Sequence, residues 1–236
     1  MNNYPQEAIS KILAPALGLW LKTQTNRLDE LQIKISGRNR QIISGLIPKV
    51  SLASHYVVYQ GLHLRQVQLE SENISINIGQ IIGGHSLRLL KPIQVTAKVL
   101  LTESALEASL LSPLLSQALA DLLLTCIERS LAPGLINILK DSHVSWQKAS
   151  LNSDKLALLG TLRYCNQSYD LSLRSGLSLK NYHTLSLQPL QIETRPKLIS
   201  LSLHKFDLHL GADVKLAELK LSPHQIACSG QIIVRS

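Results

Sequence analysis

The residue types that most often catalyse reactions or bind metals are present in this chain. Few of them have the sequence spacing that a catalytic or metal site requires. Its eight histidines are dispersed over 236 residues, and its three cysteines have no metal-ligand spacing. His204, Asp207 and His209 could meet on one polar strand face and make a conceivable metal site. A solvated strand face is the interpretation that we favour for these residues. We therefore predict no metal site and no cofactor.

The common catalytic motifs are also missing from the sequence. It contains no H-E-x-x-H, no P-loop and no G-x-G-x-x-G. The segment GLSLK at 176–180 lacks the second glycine and the following helix of a nucleophile elbow. The chain is therefore predicted not to be an enzyme.

The basic residues are the remaining candidates for a site. The net charge of +8 and the pI near 9.5 favour an anionic partner, either nucleic acid or a membrane surface. Lysine and arginine are spread singly along the chain, and 4% aromatic residues supply no base-stacking platform. We expect phospholipid or an anionic membrane surface as the partner and no nucleic acid, while a protein partner is unknown. The headgroup candidates, chosen by position, are Arg38, Arg40, Lys49, Arg65 and Arg88.

The low content of charged residues also favours a lipid or membrane partner. Charged residues make up 17% of the chain, against about 25% in an ordinary soluble domain. Such a chain hides much apolar surface or presents some of it to lipid or a partner. No segment approaches the roughly 20 apolar residues of a spanning helix, and MNNYPQEAISKIL lacks the features of a signal peptide. We expect a protein that is cytoplasmic or peripheral on the cytoplasmic face of a membrane.

Hydrophobic periodicity predicts the elements that would position these residues. Residues 5–22 have the spacing of an amphipathic helix, which would cover the core or lie on a membrane surface. We therefore divide the chain into an N-terminal helix (1–24) and one α+β domain (25–236). The period is two from 28 to 101 and from 143 to 234, which is typical of antiparallel strands. Between them, Thr102 is a plausible cap for a leucine-rich helix that Pro113 should kink or divide.

Three of the predicted strands change phase at the same spacing. Two residues stand where one belongs at 62–69, with the extra residue at Arg65-Gln66, and again at 185–192 and 201–208. Such an extra residue is typical of a β-bulge, which bends its strand, and Pro189 inside the second copy favours a bulge. A leucine-rich chain can also produce this spacing by accident. The favoured fold is α+β, with long, strongly curved antiparallel sheets wrapping the central leucine-rich helix.

Two segments resemble a known family. GLHLRQVQL at 61–69 and LTESALEASLLSPLL at 101–115 are similar to the motifs of the bacterial LmeA-like phospholipid-binding family, over residues 25–235. The resemblance implies phospholipid binding in a tubular lipid-binding architecture, and it supplies no catalytic residues.

The predicted function is non-enzymatic binding, carriage or transfer of phospholipid in an apolar groove between curved sheet and helix, at a membrane surface. A scaffold that takes a partner helix in the same groove, a nucleic-acid-binding protein and a tight core without a groove remain alternatives. Leu17 and Trp20 would gate the groove or touch the membrane. The predicted lining residues are Val57, Leu62, Leu64, Leu106, Leu110, Leu111 and Leu114.

Overall fold

A computed structural model describes residues 4–130 and 133–235, with the side chains of all of these except residues 4–12 and 133. The helices are α1 (Tyr4–Gln24), α2 (Asn39–Ile43), α3 (Ile78–Ile82), α4 (Glu103–Ser109), α5 (Pro113–Arg129) and α6 (Pro133–Lys140). The strands are β1 (Arg27–Ser36), β2 (Leu46–Tyr59), β3 (Leu62–Ser75), β4 (Ile93–Thr102), β5 (His143–Asn152), β6 (Lys155–Tyr164), β7 (Gln167–Asn181), β8 (Thr184–Arg195), β9 (Ser200–Leu203), β10 (Phe206–His209), β11 (Val214–Ser222) and β12 (Gln225–Val234).

The strands form two antiparallel sheets. The first sheet has the order β1-β2-β3-β4-β12-β11, so the last two strands of the chain pair beside β4. The second sheet has the order β10-β8-β7-β6-β5, and β9 also pairs with β8. The predicted α+β class with mostly antiparallel sheets is confirmed.

The second predicted bulge is confirmed. Between two pairs of the β7–β8 ladder, β7 advances two residues, from Ser175 to Leu177, while β8 covers three, from Leu190 to Leu187. The extra residue lies beside Pro189. It lets Leu187 and Leu190, three positions apart, both be buried.

The third phase change is an interruption between two strands. Leu203 of β9 pairs with Leu190, and Phe206 of β10 pairs with Leu187. Residues 204 and 205 therefore face the bulge of β8. The predicted bulge within one strand is corrected to an irregularity that neighbouring strands share.

The predicted bulge at Arg65 and Gln66 is wrong, because β2 and β3 pair without a register shift. The irregularity lies in the neighbouring strands. Tyr56 of β2 has a φ of 53°, Glu30 of β1 has a φ of 50°, and β1 slips against β2 near Asp29. The backbone irregularity that accompanies the change in phase therefore lies in β1 and β2, and β3 contributes no extra residue.

The leucine-rich segment begins and divides as predicted. The Thr102 side-chain oxygen accepts a hydrogen bond from the Ala105 amide at 3.3 Å, which caps α4. Ser112 caps α5 in the same way, with Pro113 in its first turn. The two helices meet at 86°. The short helices α2, α3 and α6 were not predicted.

Two hydrophobic cores are present. Core 1 packs α4 and α5 against the second sheet, and its buried residues include Leu123, Ile127, Leu151 and Ile192. Core 2 lies between α1, α2, α3 and one end of the first sheet, and Leu13 of α1 is 1% exposed within it. The described part of α1 therefore covers a core, which is the first of its two predicted alternatives.

Candidate lipid-binding surface

Strand β4 connects the two cores along one face. Its pairing with β12 is continuous over ten residues, so its alternate residues share a side of the sheet. At one end Ile93 packs against core 2, and at the other end Leu101 packs against core 1. Ala97 and Val99 lie between them and are only half-buried. Both cores therefore cover the ends of the same sheet face and leave its middle partly open.

The neighbouring strands continue this apolar face across the sheet. Leu69 pairs with Ala97, and Val67 pairs with Val99. On the other side, Cys228 of β12 pairs with Val99 and with Leu219 of β11. We call this surface the apolar strip, and its half-buried members outside the two cores are Ile33, Val67, Leu69, Ala97, Val99, Leu216, Leu219 and Cys228.

The opposite face of the same strands is polar. Lys34, Ser51, Glu70 and Thr96 lie in one row across β1 to β4. The Glu70 carboxylate accepts from Lys49 at 3.1 Å, and this contact lowers the pKa of Glu70. The clean division between faces is typical of a sheet with one face in water and one face against apolar material.

The strip is long enough for acyl chains. Ile93 and Leu101 are eight residues apart, which corresponds to about 27 Å of strand at roughly 3.4 Å per residue. One hydrocarbon leaflet of a bilayer is about 15 Å thick, half of the apolar core. The Cys228 thiol lies within the strip, and its burial raises its pKa. Nothing in the strip carries a formal charge at neutral pH, so it favours hydrocarbon over polar ligands.

A family model of LmeA-like phospholipid-binding proteins matches residues 6–231, nearly the whole chain. The chain belongs to the LmeA-like phospholipid-binding family. Comparison with curated proteins and with solved structures gives no match. Because the family is described as phospholipid-binding, lipid is the first ligand class to consider for the surface of this LmeA-like chain.

A cavity of about 320 Å³ lies between α4 and the hairpin of β2 and β3 in this LmeA-like protein. The Arg65 guanidinium lies 4.0 Å from the centre of the Tyr56 ring in its wall. Among the described residues, Nη1 of Arg65 is buried and has no hydrogen-bond partner. His63 and Ser104 line the same cavity. An oxyanion would satisfy the free donor of Arg65.

The predicted groove residues lie in different surroundings. Leu106 and Leu110 are buried in core 1, while Leu17 and Trp20 pack against core 2. Val57 and Leu64 line the cavity beside Arg65. The remaining predicted residues are half-buried Leu62 and exposed Leu111 and Leu114.

The headgroup candidates also divide into two groups. Among the five candidates, Arg65 is the one that lines the cavity. Arg38, Arg40, Lys49 and Arg88 lie towards the other end of the first sheet, near α2 and α3, and Lys49 is paired with Glu70 and Glu72.

The apolar strip was missed by sequence reasoning, although one part of its signal was visible. The alternation of β4 placed Ala97 and Val99 on one face of a strand. The pairing of β12 with β4 joins residues more than 120 positions apart, which no local pattern reveals.

Among the described residues, no single helix is long and apolar enough to cross a membrane. The bent pair of α4 and α5 meets the length and composition of a span only when the two helices are taken together.

Proposed function

We propose that this protein binds phospholipid without catalysis, with the acyl chains on the apolar strip of the first sheet. The observation that carries the proposal is the position of the strip between two cores on one uninterrupted sheet face, in a member of a phospholipid-binding family. Removing each methylene from water contributes about 0.8 kcal/mol, so two chains need no further source of binding energy.

The first sheet and α4, which packs beside β3 and β4, would form the walls of the lipid groove. In this arrangement the first sheet curves towards the leucine-rich helix, as the sequence predicts, and the groove opens between the cores. Val57 and Leu64 would extend the apolar wall towards Arg65. The phosphate headgroup would lie at Arg65, whose Nη1 has a free donor. Carriage or transfer at a membrane surface follows if the same groove opens to a bilayer.

Native mass spectrometry of the purified full chain tests the proposal directly. We expect phospholipid to remain bound to the wild-type protein. An Ala97→Glu variant places a charge in the middle of the strip and should lower the lipid-bound fraction at least about tenfold, because a buried unpaired charge is strongly unfavourable.

The matched control is Gln68→Glu, which adds the same charge beside the strip but on the exposed polar face, opposite Lys98 of β4. It should keep its lipid. Circular dichroism of both variants checks that they fold. A wild-type chain that carries no lipid and takes none from liposomes contradicts the proposal, as does equal lipid loss in both variants.

A further inference from the structure

A second surface lies at the end of the first sheet where β2 begins and β3 ends. Helix α2 leads directly into β2, and α3 follows directly after β3. The Ile76 amide donates to the Gly45 carbonyl at 2.8 Å, and the Leu90 amide donates to the Ser75 carbonyl at 2.9 Å. These bonds hold α2, α3 and the loop before β4 together at one end of the molecule.

Three large aliphatic side chains are exposed at this end. Ile43 is 58% exposed, Ile82 is 68% exposed and Leu90 is 60% exposed, although each follows or precedes a residue buried in core 2. The buried neighbours fix the backbone, so the exposed side chains are held in place facing outwards. Such a group of exposed aliphatic residues marks an interaction surface.

Four cations accompany these aliphatic residues. Arg38, Arg40, Arg88 and Lys91 are all exposed, and none has an ion pair among the described residues. The sequence contains no Asp or Glu in 31–69 or in 73–102, and Glu70 and Glu72, which lie between these segments, are paired with Lys49. We call this surface the basic tip, and it consists of Arg38, Arg40, Ile43, Ile82, Arg88, Leu90 and Lys91.

We infer that the basic tip docks the protein on an anionic phospholipid bilayer. The cations match the lipid phosphates, and the three aliphatic side chains fit the boundary between headgroups and acyl chains. A nucleic acid would use the cations alone and would leave the aliphatic residues in water. The inference rests on the proposed function only in that phospholipid is the partner.

Docking at the basic tip also gives the lipid a path. Lys91 and Leu90 immediately precede β4, whose alternate residues Ile93, Val95, Ala97 and Val99 lead into the apolar strip. A bilayer in contact with the tip would therefore adjoin the end of the face that holds acyl chains. Core 2 lies at this entry and would have to shift for a lipid to pass.

Vesicle flotation with the full chain tests the inference. We expect wild-type protein to float with vesicles of phosphatidylcholine containing about one third phosphatidylglycerol and to bind pure phosphatidylcholine vesicles far less. The double variant Arg40→Glu and Arg88→Glu should lower the partition coefficient by more than about tenfold, since each cation near an anionic surface contributes roughly fivefold.

The matched control is Lys155→Glu with Lys197→Glu, which makes the same change in net charge at exposed positions near the second sheet. This control should bind like the wild type, apart from a small general effect of net charge. Equal losses of vesicle binding in both double variants would contradict a docking surface that is confined to the basic tip. Tip variants that lose affinity for duplex DNA while wild-type protein ignores the vesicles also overturn the inference.

A second variant reports on insertion without weakening the surface. Ile82→Trp places an indole at the most exposed aliphatic position of the tip. The difference between its emission and that of the wild type, which already contains Trp20 and Trp146, should shift to the blue and be quenched by brominated lipid. An unshifted emission on bound vesicles contradicts insertion. The proposed function is tested separately, because phospholipid that co-purifies with the wild-type protein is read by native mass spectrometry and does not depend on the flotation result.

Discussion

Glu103 joins three parts of the molecule through one carboxylate. It accepts a hydrogen bond from the Leu151 amide at 2.6 Å, and its other oxygen lies 3.2 Å from Nδ1 of His224. The Leu151 carbonyl in turn accepts from the His224 amide at 3.0 Å. The start of α4, the end of β5 and the turn between β11 and β12 therefore meet here, and this residue ties the two sheets together.

The pKa of Glu103 predicts how this junction responds to acid. The Leu151 amide, followed by His224, holds the pKa of Glu103 below its ordinary value of 4.5. Because the folded pKa is the lower one, the contribution to stability is complete above pH 4.5 and is lost as the pH falls through the folded pKa. Glu103→Gln should therefore lower the free energy of unfolding by about 1 kcal/mol at pH 7.

Urea unfolding between pH 7 and pH 3 measures the effect of Glu103→Gln. The gap between wild type and variant should narrow towards pH 3, because the wild-type carboxylate becomes protonated. If the difference in unfolding free energy between wild type and variant is independent of pH, the loss of stability comes from packing and not from the carboxylate charge.

At the scale of elements, the bulge of β8 depends on a glycine in the neighbouring strand. A Cβ at Gly176 of β7 would clash with the Gln188 carbonyl oxygen. The bulge pushes this carbonyl towards β7, so only glycine permits the approach. Sequence periodicity located the bulge, but the requirement for Gly176 comes from the pairing of the two strands.

Gly176→Ala should accordingly destabilise the protein by roughly 1–3 kcal/mol through the clash with backbone. Gly134→Ala is the matched control, since nothing lies within 4 Å of a Cβ there, and it should be neutral or stabilise α6 slightly. Thermal unfolding followed by circular dichroism compares the two. Equal midpoints of thermal unfolding for the two variants would contradict the close approach of the Gln188 carbonyl to Gly176.

At the scale of the whole molecule, the three cysteine thiols lie in three different environments. Cys165 is exposed, Cys126 is 0% exposed in core 1, and Cys228 is half-buried in the apolar strip. Burial raises the pKa of Cys126 to about 12 and also raises the pKa of Cys228. Since the thiolate is the reactive form, the three should react at very different rates.

Maleimide labelling at pH 8, read by peptide mass spectrometry, should therefore modify Cys165 first, Cys228 slowly and Cys126 only after unfolding. Bound phospholipid should slow the reaction of Cys228 further while leaving Cys165 unchanged as an internal control. Protection of neither thiol, in protein that carries lipid, would place the lipid away from the strip.

Local pattern predicted much of the fold because alternation and capping act over a few residues. The strand periods, the Thr102 cap and the division at Pro113 follow from nearest neighbours in sequence. The error at Arg65 has a different cause. The phase of β3 changes while its register with β2 is kept, and the slip occurs in β1 against β2, a relation that a single strand does not contain.

Aliphatic composition, low charge and the family motifs are local features of the chain, so they predicted a lipid ligand and most of the strands and long helices, but not the short helices α2, α3 and α6. Which aliphatic side chains are covered depends on the folded structure. It buried Leu106 and Leu110 in core 1 and left Val67, Leu69 and Val99 half-open between the cores. The physical reason is that burial depends on what packs across a face, and β12 reaches β4 from the far end of the chain.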